Sequence, residues 1–217
     1  MAEKNARQGV FITLEGPDGS GKTSQIPLLA EYLNETGCQV VTTREPGGTP
    51  ISDQIKDVLK SMQNKAMHPR TEILLFCSAR AQLVEEVIRP SLAEGKIVIS
   101  DRYADSTLAY QGYGHGYDRD FLRRLLNFAT GDLWPDLTLY LDLDAEEGLN
   151  RRRSEGNQWD RLDDYALAFH QRVRAGYLEM AAADPQRWKR IDACQTPAQV
   201  QAHLRQTVAA FLAKNWR

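Results

Sequence analysis

The sequence predicts an α/β fold, a mostly parallel sheet covered by helices on both faces. Three observations carry that prediction. Short runs of Val, Ile and Leu alternate about five times with longer stretches of helical spacing. The first such run, Gly9–Glu15 (GVFITLE), is almost continuously apolar, as a strand buried on both faces would be. No repeat, low-complexity tract or linker divides the 217 residues, so one domain over 1–217 is expected.

The elements follow in order. Gly21–Thr36 has helical spacing through Ile26, Leu29, Ala30 and Leu33, and Gly37 is its expected C-cap. Pro27 falls beyond the first turn, where proline removes a hydrogen bond, so a kink is to be looked for there. Gln39–Thr43 is the second strand. A helix is expected near Ser52–Ser61, then a longer one over Thr71–Arg89 that Pro90 breaks. Lys96–Ser100 (KIVIS) is the third strand. Asp118–Thr130 is helical and Gly131 stops it; Leu137–Leu143 (LTLYLDL) is the fourth strand. Ala145–Arg153 starts a helix that runs into polar sequence, and Ser154–Asp160 reads as a mobile flap. Tyr165–Ala183 is helical, Trp188–Ile191 is a short fifth strand, and Pro197–Ala213 is the last helix.

Composition narrows the classes of function. Hydrophobic residues make up 42% and charged residues 26%, ordinary values for a soluble globular chain. A formal net charge of −2 gives no overall basic excess for long nucleic acid, so any anionic ligand must be held by local clusters of positive charge. The N-terminal MAEKNARQGV does not read as a secretion signal, and no run approaches the ~20 apolar residues of a membrane span. The three cysteines, at 38, 77 and 194, are widely spaced and lack a CxxC pattern. They read as reduced thiols with packing roles in a cytoplasmic protein, with no zinc site.

Residues 16–23, GPDGSGKT, match G-x-x-x-x-G-K-[ST] between a strand and a helix. The loop comprises Gly16, Pro17, Asp18, Gly19, Ser20, Gly21, Lys22 and Thr23. Its glycines let backbone N–H groups turn inward around phosphate oxygens, and the following helix adds the positive end of its dipole. Lys22 can reach the β- and γ-phosphates, and the Thr23 hydroxyl can ligate Mg²⁺. The reagent is therefore a nucleoside triphosphate with magnesium. The reaction stays open, because such loops also serve switches, motors and several kinds of kinase.

A second set of residues narrows it. Arg44 in TREPGGT, and Asp101 with Arg102 in DRY, follow strands and so should meet the carboxyl edge of the sheet, where ligands bind. Phe76 and Arg80 are four apart on a helix and share a face. A ring and a guanidinium so placed can hold a planar base, one by stacking and one by hydrogen bonding. Taken alone, the pair also suits a core Phe beside a surface salt bridge.

LEGPDGSGKT, TREPGGTP, FCSARAQ, DRYADSTLAYQG and DLTLYLDLD stand together in an order and spacing that strongly resemble the thymidylate kinase family over nearly the whole chain. The resemblance implies a P-loop nucleoside monophosphate kinase fold with a central five-stranded parallel sheet, flanking helices and a short lid. It implies transfer of the ATP γ-phosphate to dTMP, giving dTDP and ADP for dTTP synthesis and DNA replication. It implies small-molecule substrates, a homodimer, and no polymeric nucleic acid or membrane as partner. By the same resemblance Asp18 meets the sugar 3′-hydroxyl, and Arg44 and Arg102 hold the monophosphate. Asp101 works near magnesium, Phe76 stacks on thymine, and Arg80 and Gln111 face the base. Tyr110 or Tyr113 disfavours a ribose 2′-hydroxyl, and Pro46 follows a cis peptide. The segment Ala193–Gln195 neighbours the adenine.

The lid is expected over about 151–161, in GLNRRRSEGNQWDR. Ser20 stands just before Gly21, where some relatives have an arginine, so the resemblance implies that catalytic arginines come from the lid. Arg151, Arg152 and Arg153 are available, while Glu155 takes the third arginine position of the usual R-x-R-x-R-G. Arg153 is favoured as the contact to the transferred phosphate, with Arg151 or Arg161 in support. The same run suits a solvated helix end. His115 reads as a loop residue, since this transfer needs no imidazole. Cys77 is expected to line the base pocket or simply to pack. The main alternatives are a kinase for dUMP, another nucleotide or a deoxynucleoside, and a nucleotide-dependent switch with no acceptor.

Overall fold

The first strand explains the layering. Val10, Ile12 and Leu14 face one side of the sheet and Phe11 the other, all within 5% of full burial. A computed structural model describes residues 9–154, 160–162 and 164–216 of the chain. Its strands are β1 (Val10–Glu15), β2 (Val40–Arg44), β3 (Ile97–Asp101), β4 (Leu137–Asp142) and β5 (Trp188–Asp192). They pair in parallel in the order β2–β3–β1–β4–β5. Helices α1 (Lys22–Glu35) and α9 (Pro197–Asn215) cover one face through Leu29, Leu33, Leu204 and Val208. On the other face α3 (Pro69–Leu83) and α6 (Arg119–Thr130) bring Leu83, Leu122 and Leu126 onto Phe11 and Val98. Beside them α8 (Leu167–Ala183) packs Val173 and Tyr177 against Tyr140 and Trp188. Each such side chain is worth roughly 1.5–3 kcal/mol of transfer free energy.

Sequence punctuation placed the end of α6 at Gly131, set the end of α1 one residue late, and misled where proline was involved. Gly131 caps α6 in the left-handed region at φ 56°, and Asp118 accepts the N–H of Phe121 at its start. Helix α1 runs through Pro27 without interruption and ends at Glu35, with Thr36 as its C-cap. The helix expected over Thr71–Arg89 begins earlier, at Pro69, and does not stop at Pro90. After α3 the chain passes through a wide π-turn, Val84–Ile88, and continues as α4 (Arg89–Ala93). Pro90 sits in the first turn of α4, where a missing N–H costs little. One element was not anticipated: α5 (Ala104–Thr107) continues into a π-helical stretch, Leu108–Gly114. That stretch carries Tyr110 and Gln111.

The topology prepares one edge of the sheet. Leu14 pairs with Asp101, and Asp101 with Arg44, so the carboxyl ends of β1, β2 and β3 stand level. The chain leaves β1 for β2 on one side and later returns as β4 on the other. The loop after β1 therefore lies at the switch in strand order, where open parallel sheets take their ligands. Gly19 packs against the backbone of Gly148 in α7 (Ala145–Ser154), and a Cβ on either residue would collide with the other's segment. That contact brings α7, which carries Arg151, Arg152 and Arg153, against the loop.

Candidate active site

The loop after β1 turns on Gly16, Gly19 and Gly21, with φ values of 147°, 75° and 90°. Lys22, the first residue of α1, folds its ammonium into that loop. It donates to the carbonyls of Gly16 (3.0 Å) and Pro17 (2.8 Å) and to Ser20 Oγ (3.3 Å). Burial, then the Arg102 charge, lower its pKa to about 8 against the pull of Asp101, Asp18 and Glu15. Thr23 Oγ1 donates to Asp101 Oδ2 at 3.0 Å, so a hydroxyl and a carboxylate meet at the N-terminus of α1.

Asp18, Arg102 and Tyr110 form one cluster. Arg102 Nη2 donates to Asp18 Oδ1 (2.9 Å) and to the Tyr110 hydroxyl (3.1 Å), which donates to Asp18 Oδ2 (3.1 Å). Burial alone would raise the Asp18 pKa, but Arg102 and Lys22 hold it far below the usual carboxylate range. Arg102 has φ 68°, uncommon for a side-chain-bearing residue, with its own N–H bonded to the Leu14 carbonyl. Beneath the cluster lies Glu15. It accepts from the Tyr103 N–H (2.8 Å), the Ser106 hydroxyl (2.6 Å) and the Tyr177 hydroxyl (2.8 Å). Burial, then Asp105, raise its pKa to about 7 despite Arg102 and the two hydroxyls.

Two cavities meet at this cluster. The smaller, about 90 Å³, is lined by Phe76, Arg80, Tyr110 and Gln111 among others. Arg80 is 1% exposed and fully engaged. Nε donates to Glu45 Oε2 (2.8 Å), Nη1 to Thr107 Oγ1 (3.1 Å) and Nη2 to the Tyr103 carbonyl (3.1 Å). Glu45 Oε1 is buried with no hydrogen-bond partner among the described residues, and the Glu45–Pro46 peptide is cis. Gln111 Nε2 donates to Glu72 Oε1 at 2.7 Å.

The larger cavity, about 560 Å³, is lined by Lys22, Thr23, Arg44, Lys56, Asp101 and Arg152 among others. Both cavities share Asp18, Glu45, Lys60, Arg102 and Arg152. Arg44 pairs with Asp53 at 2.9 Å, and Lys56 reaches the same oxygen at 3.1 Å. Lys60 pairs with Asp160 at 2.8 Å. Lys56 and Lys60 sit four apart on α2 (Pro50–Lys60), a spacing that could have marked them as one cationic face. Glu45 and Glu72 were missed because a buried carboxylate looks like any other in a sequence.

The lid residues separate. Arg152 lines both cavities. Arg151 donates to Glu147 Oε1 (2.9 Å) and to the Ala193 carbonyl (3.1 Å), linking α7 to the segment expected near adenine. Arg153 is exposed and lines neither cavity. Arg161 is buried, paired with Glu72, and does not line the larger cavity. Glu155 and Gly156 lie outside the described residues. Tyr113 stacks its ring under Arg119, 4.5 Å away, and lines a separate cavity with Glu179, so of the two tyrosines it is Tyr110 that lines the smaller cavity. Cys77 is buried in the core beside Phe76 and does not line the cavity.

The family model "Thymidylate kinase" matches residues 14–204. A thymidylate kinase of Herpetosiphon aurantiacus is 51% identical over 85% of this chain and 88% of that protein. One from Thermomicrobium roseum is 51% identical over 95% and 98% respectively. The crystal structure of a thymidylate kinase from Ehrlichia chaffeensis superposes with a TM-score of 0.74 at 36% identity, covering 93% of this chain and 99% of that one.

Proposed function

The chain belongs to the thymidylate kinase family and phosphorylates dTMP with ATP for DNA synthesis, and we propose how its own residues carry that transfer. The observation that supports the assignment of roles is the pair of joined cavities. A small one walled by buried hydrogen-bonding groups opens, through Asp18 and Arg102, into a larger one walled by cations.

In this reading Phe76 stacks on thymine, and Arg80 and Gln111 meet its edge. Asp18, kept ionised by Arg102, accepts the sugar 3′-hydroxyl. Tyr110 fills the space beside it, where a ribose 2′-hydroxyl would need room. Arg44 and Arg102 hold the dTMP phosphate; the loop N–H groups and Lys22 hold the ATP phosphates. Thr23 and Asp101 are hard oxygen donors at a helix N-terminus and suit Mg²⁺, which when bound neutralises the β- and γ-phosphate charge. Arg152 supplies the lid charge at the junction of the cavities. The acceptor is already an anion, so positioning and charge neutralisation do the catalysis and no general base is required.

We also place the protein in the cytoplasm as a homodimer. No helix among the described residues is long and apolar enough to cross a membrane. Three adjoining helices expose apolar side chains: Ile51 and Val58 on α2, Leu74 on α3, and Phe121 and Phe128 on α6, the last 87% exposed. Each of the two outer pairs is seven residues apart, hence on one helix face.

A coupled ADP-release assay with ATP, Mg²⁺ and dTMP, beside dUMP and a no-acceptor control, tests the reading. Turnover strongly favouring dTMP is expected. Equal ADP release with and without acceptor would overturn it.

A further inference from the structure

Glu72 is a carboxylate only 1% exposed, on α3 four residues before Phe76. A buried carboxylate is costly unless its oxygens are hydrogen-bonded. Here both are. Oε1 accepts Gln111 Nε2 at 2.7 Å, and Oε2 accepts Arg161 Nη2 at 2.5 Å and the Tyr165 hydroxyl at 3.2 Å. Arg161 is itself fixed, its Nε donating to the Leu59 carbonyl (2.9 Å) and its backbone N–H to that of Lys60 (3.4 Å). The carboxylate is thus held from the C-terminal end of the lid and presented to Gln111.

The consequence is directional. A carboxylate can only accept, so it selects the NH₂ end of the Gln111 amide. No hydrogen bond among the described residues engages Gln111 Oε1, and Gln111 lines the base cavity. We propose that Glu72 is a positioning residue for base selectivity. It holds the Gln111 amide with its carbonyl oxygen toward the ligand, so the cavity demands a base bearing a hydrogen on N3. Thymine and uracil carry that hydrogen; cytosine has a lone pair there. Turning the amide over would set a carbonyl against the carboxylate, two acceptors in a buried site. The proposal rests on the reading of Gln111 as a base contact.

Glu72→Gln is the informative variant. It keeps the size of the side chain, and its single carbonyl oxygen can still accept from Arg161 and Tyr165; its NH₂ then faces Gln111, so the Gln111 amide pairs with it only when turned over, its own NH₂ toward the ligand. The probe is 5-fluoro-dUMP, whose fluorine acidifies N3–H so that it ionises not far above neutral pH. Its kcat/KM divided by that for dTMP is followed from about pH 6.5 to about pH 9. The ratio cancels titration of the enzyme's own groups near Glu72, namely Arg161, Tyr165, His115 (Nε2 3.8 Å from Oε1) and Arg172 beside Gly114.

In the wild-type enzyme the ratio falls as N3 loses its proton. In Glu72→Gln it is flat or rises, because an N–H can turn to the anion. The KM for dTMP rises about tenfold while that for ATP is unchanged. A variant that lowers kcat/KM for both nucleotides equally and keeps the falling ratio overturns the proposal. A wild-type ratio that does not fall overturns the reading of Gln111 and the proposal with it. If Glu72→Gln shows no cooperative melting transition, Glu72→Asp is read in the same way, since it keeps the charge for Arg161 but draws back from Gln111. A falling ratio retained there is again fatal.

Discussion

The two ends of the site are built differently. At the end proposed for the base, Arg80, Gln111, Glu45 and Glu72 are all at least nine-tenths buried, and the two groups proposed to read the base are bonded to carboxylates behind them. At the proposed phosphate end Arg44 and Lys60 have side chains 55% and 40% exposed; Arg44 pairs with the exposed Asp53 and Lys60 with the largely buried Asp160. The difference follows from the ligands. A base is neutral and planar, so it is recognised by donors and acceptors already fixed in orientation, at little further entropic cost. Phosphates are mobile anions, so beside the buried Lys22 and the largely buried Arg102 they are met by a long exposed cation, Arg44, that can exchange a weak surface partner for a stronger one.

The sharpest way to break the contrast is Arg80→Ala. It leaves Glu45 as an unpaired buried carboxylate, which costs about 3–5 kcal/mol of stability, read by urea unfolding. The folded fraction should show a KM for dTMP raised far more than that for ATP. Loss of under 1 kcal/mol would mean the base end is no more preorganised than the other. Lys22→Ala should cut kcat by at least about a hundredfold in the ADP-release assay with little loss of stability. Near-normal turnover would remove the loop from the chemistry.

Within the lid, Arg152→Ala should lower kcat about tenfold and Arg153→Ala less than about threefold. The reverse order would show that Arg153 reaches the phosphates once substrates are in place.

A further test concerns the carboxylate under both ends. Glu15 has a pKa of about 7 folded and an ordinary value near 4.5 unfolded. The folded state therefore holds the extra proton between those values. Its stabilising contribution is complete below about pH 4.5 and is lost as pH rises through 7, amounting to roughly 3 kcal/mol. Glu15→Gln should flatten the fall in stability between pH 5 and pH 7 expected of the wild type, read by denaturation at each pH. An unchanged slope would assign the pH dependence to other groups.

What the sequence determined by itself was local or periodic. The apolar run of β1, the glycine loop after it, and the Gly131 cap each follow from properties of a few adjacent residues. So does the sharing of one helix face by Phe76 and Arg80. Motif spacing then sufficed to name the family. What the tertiary structure decided was pairing between distant segments. It set Glu45 behind Arg80 and Glu72 behind Gln111, chose Arg152 over its neighbours for the cavity wall, and turned Tyr113 away. The helical stretch at 104–114 also came from context, because its π-turns lack the 3.6-residue period by which a helix is recognised. A buried carboxylate costs free energy wherever it is placed, and only the fold shows which donors, tens of residues away, offset that cost.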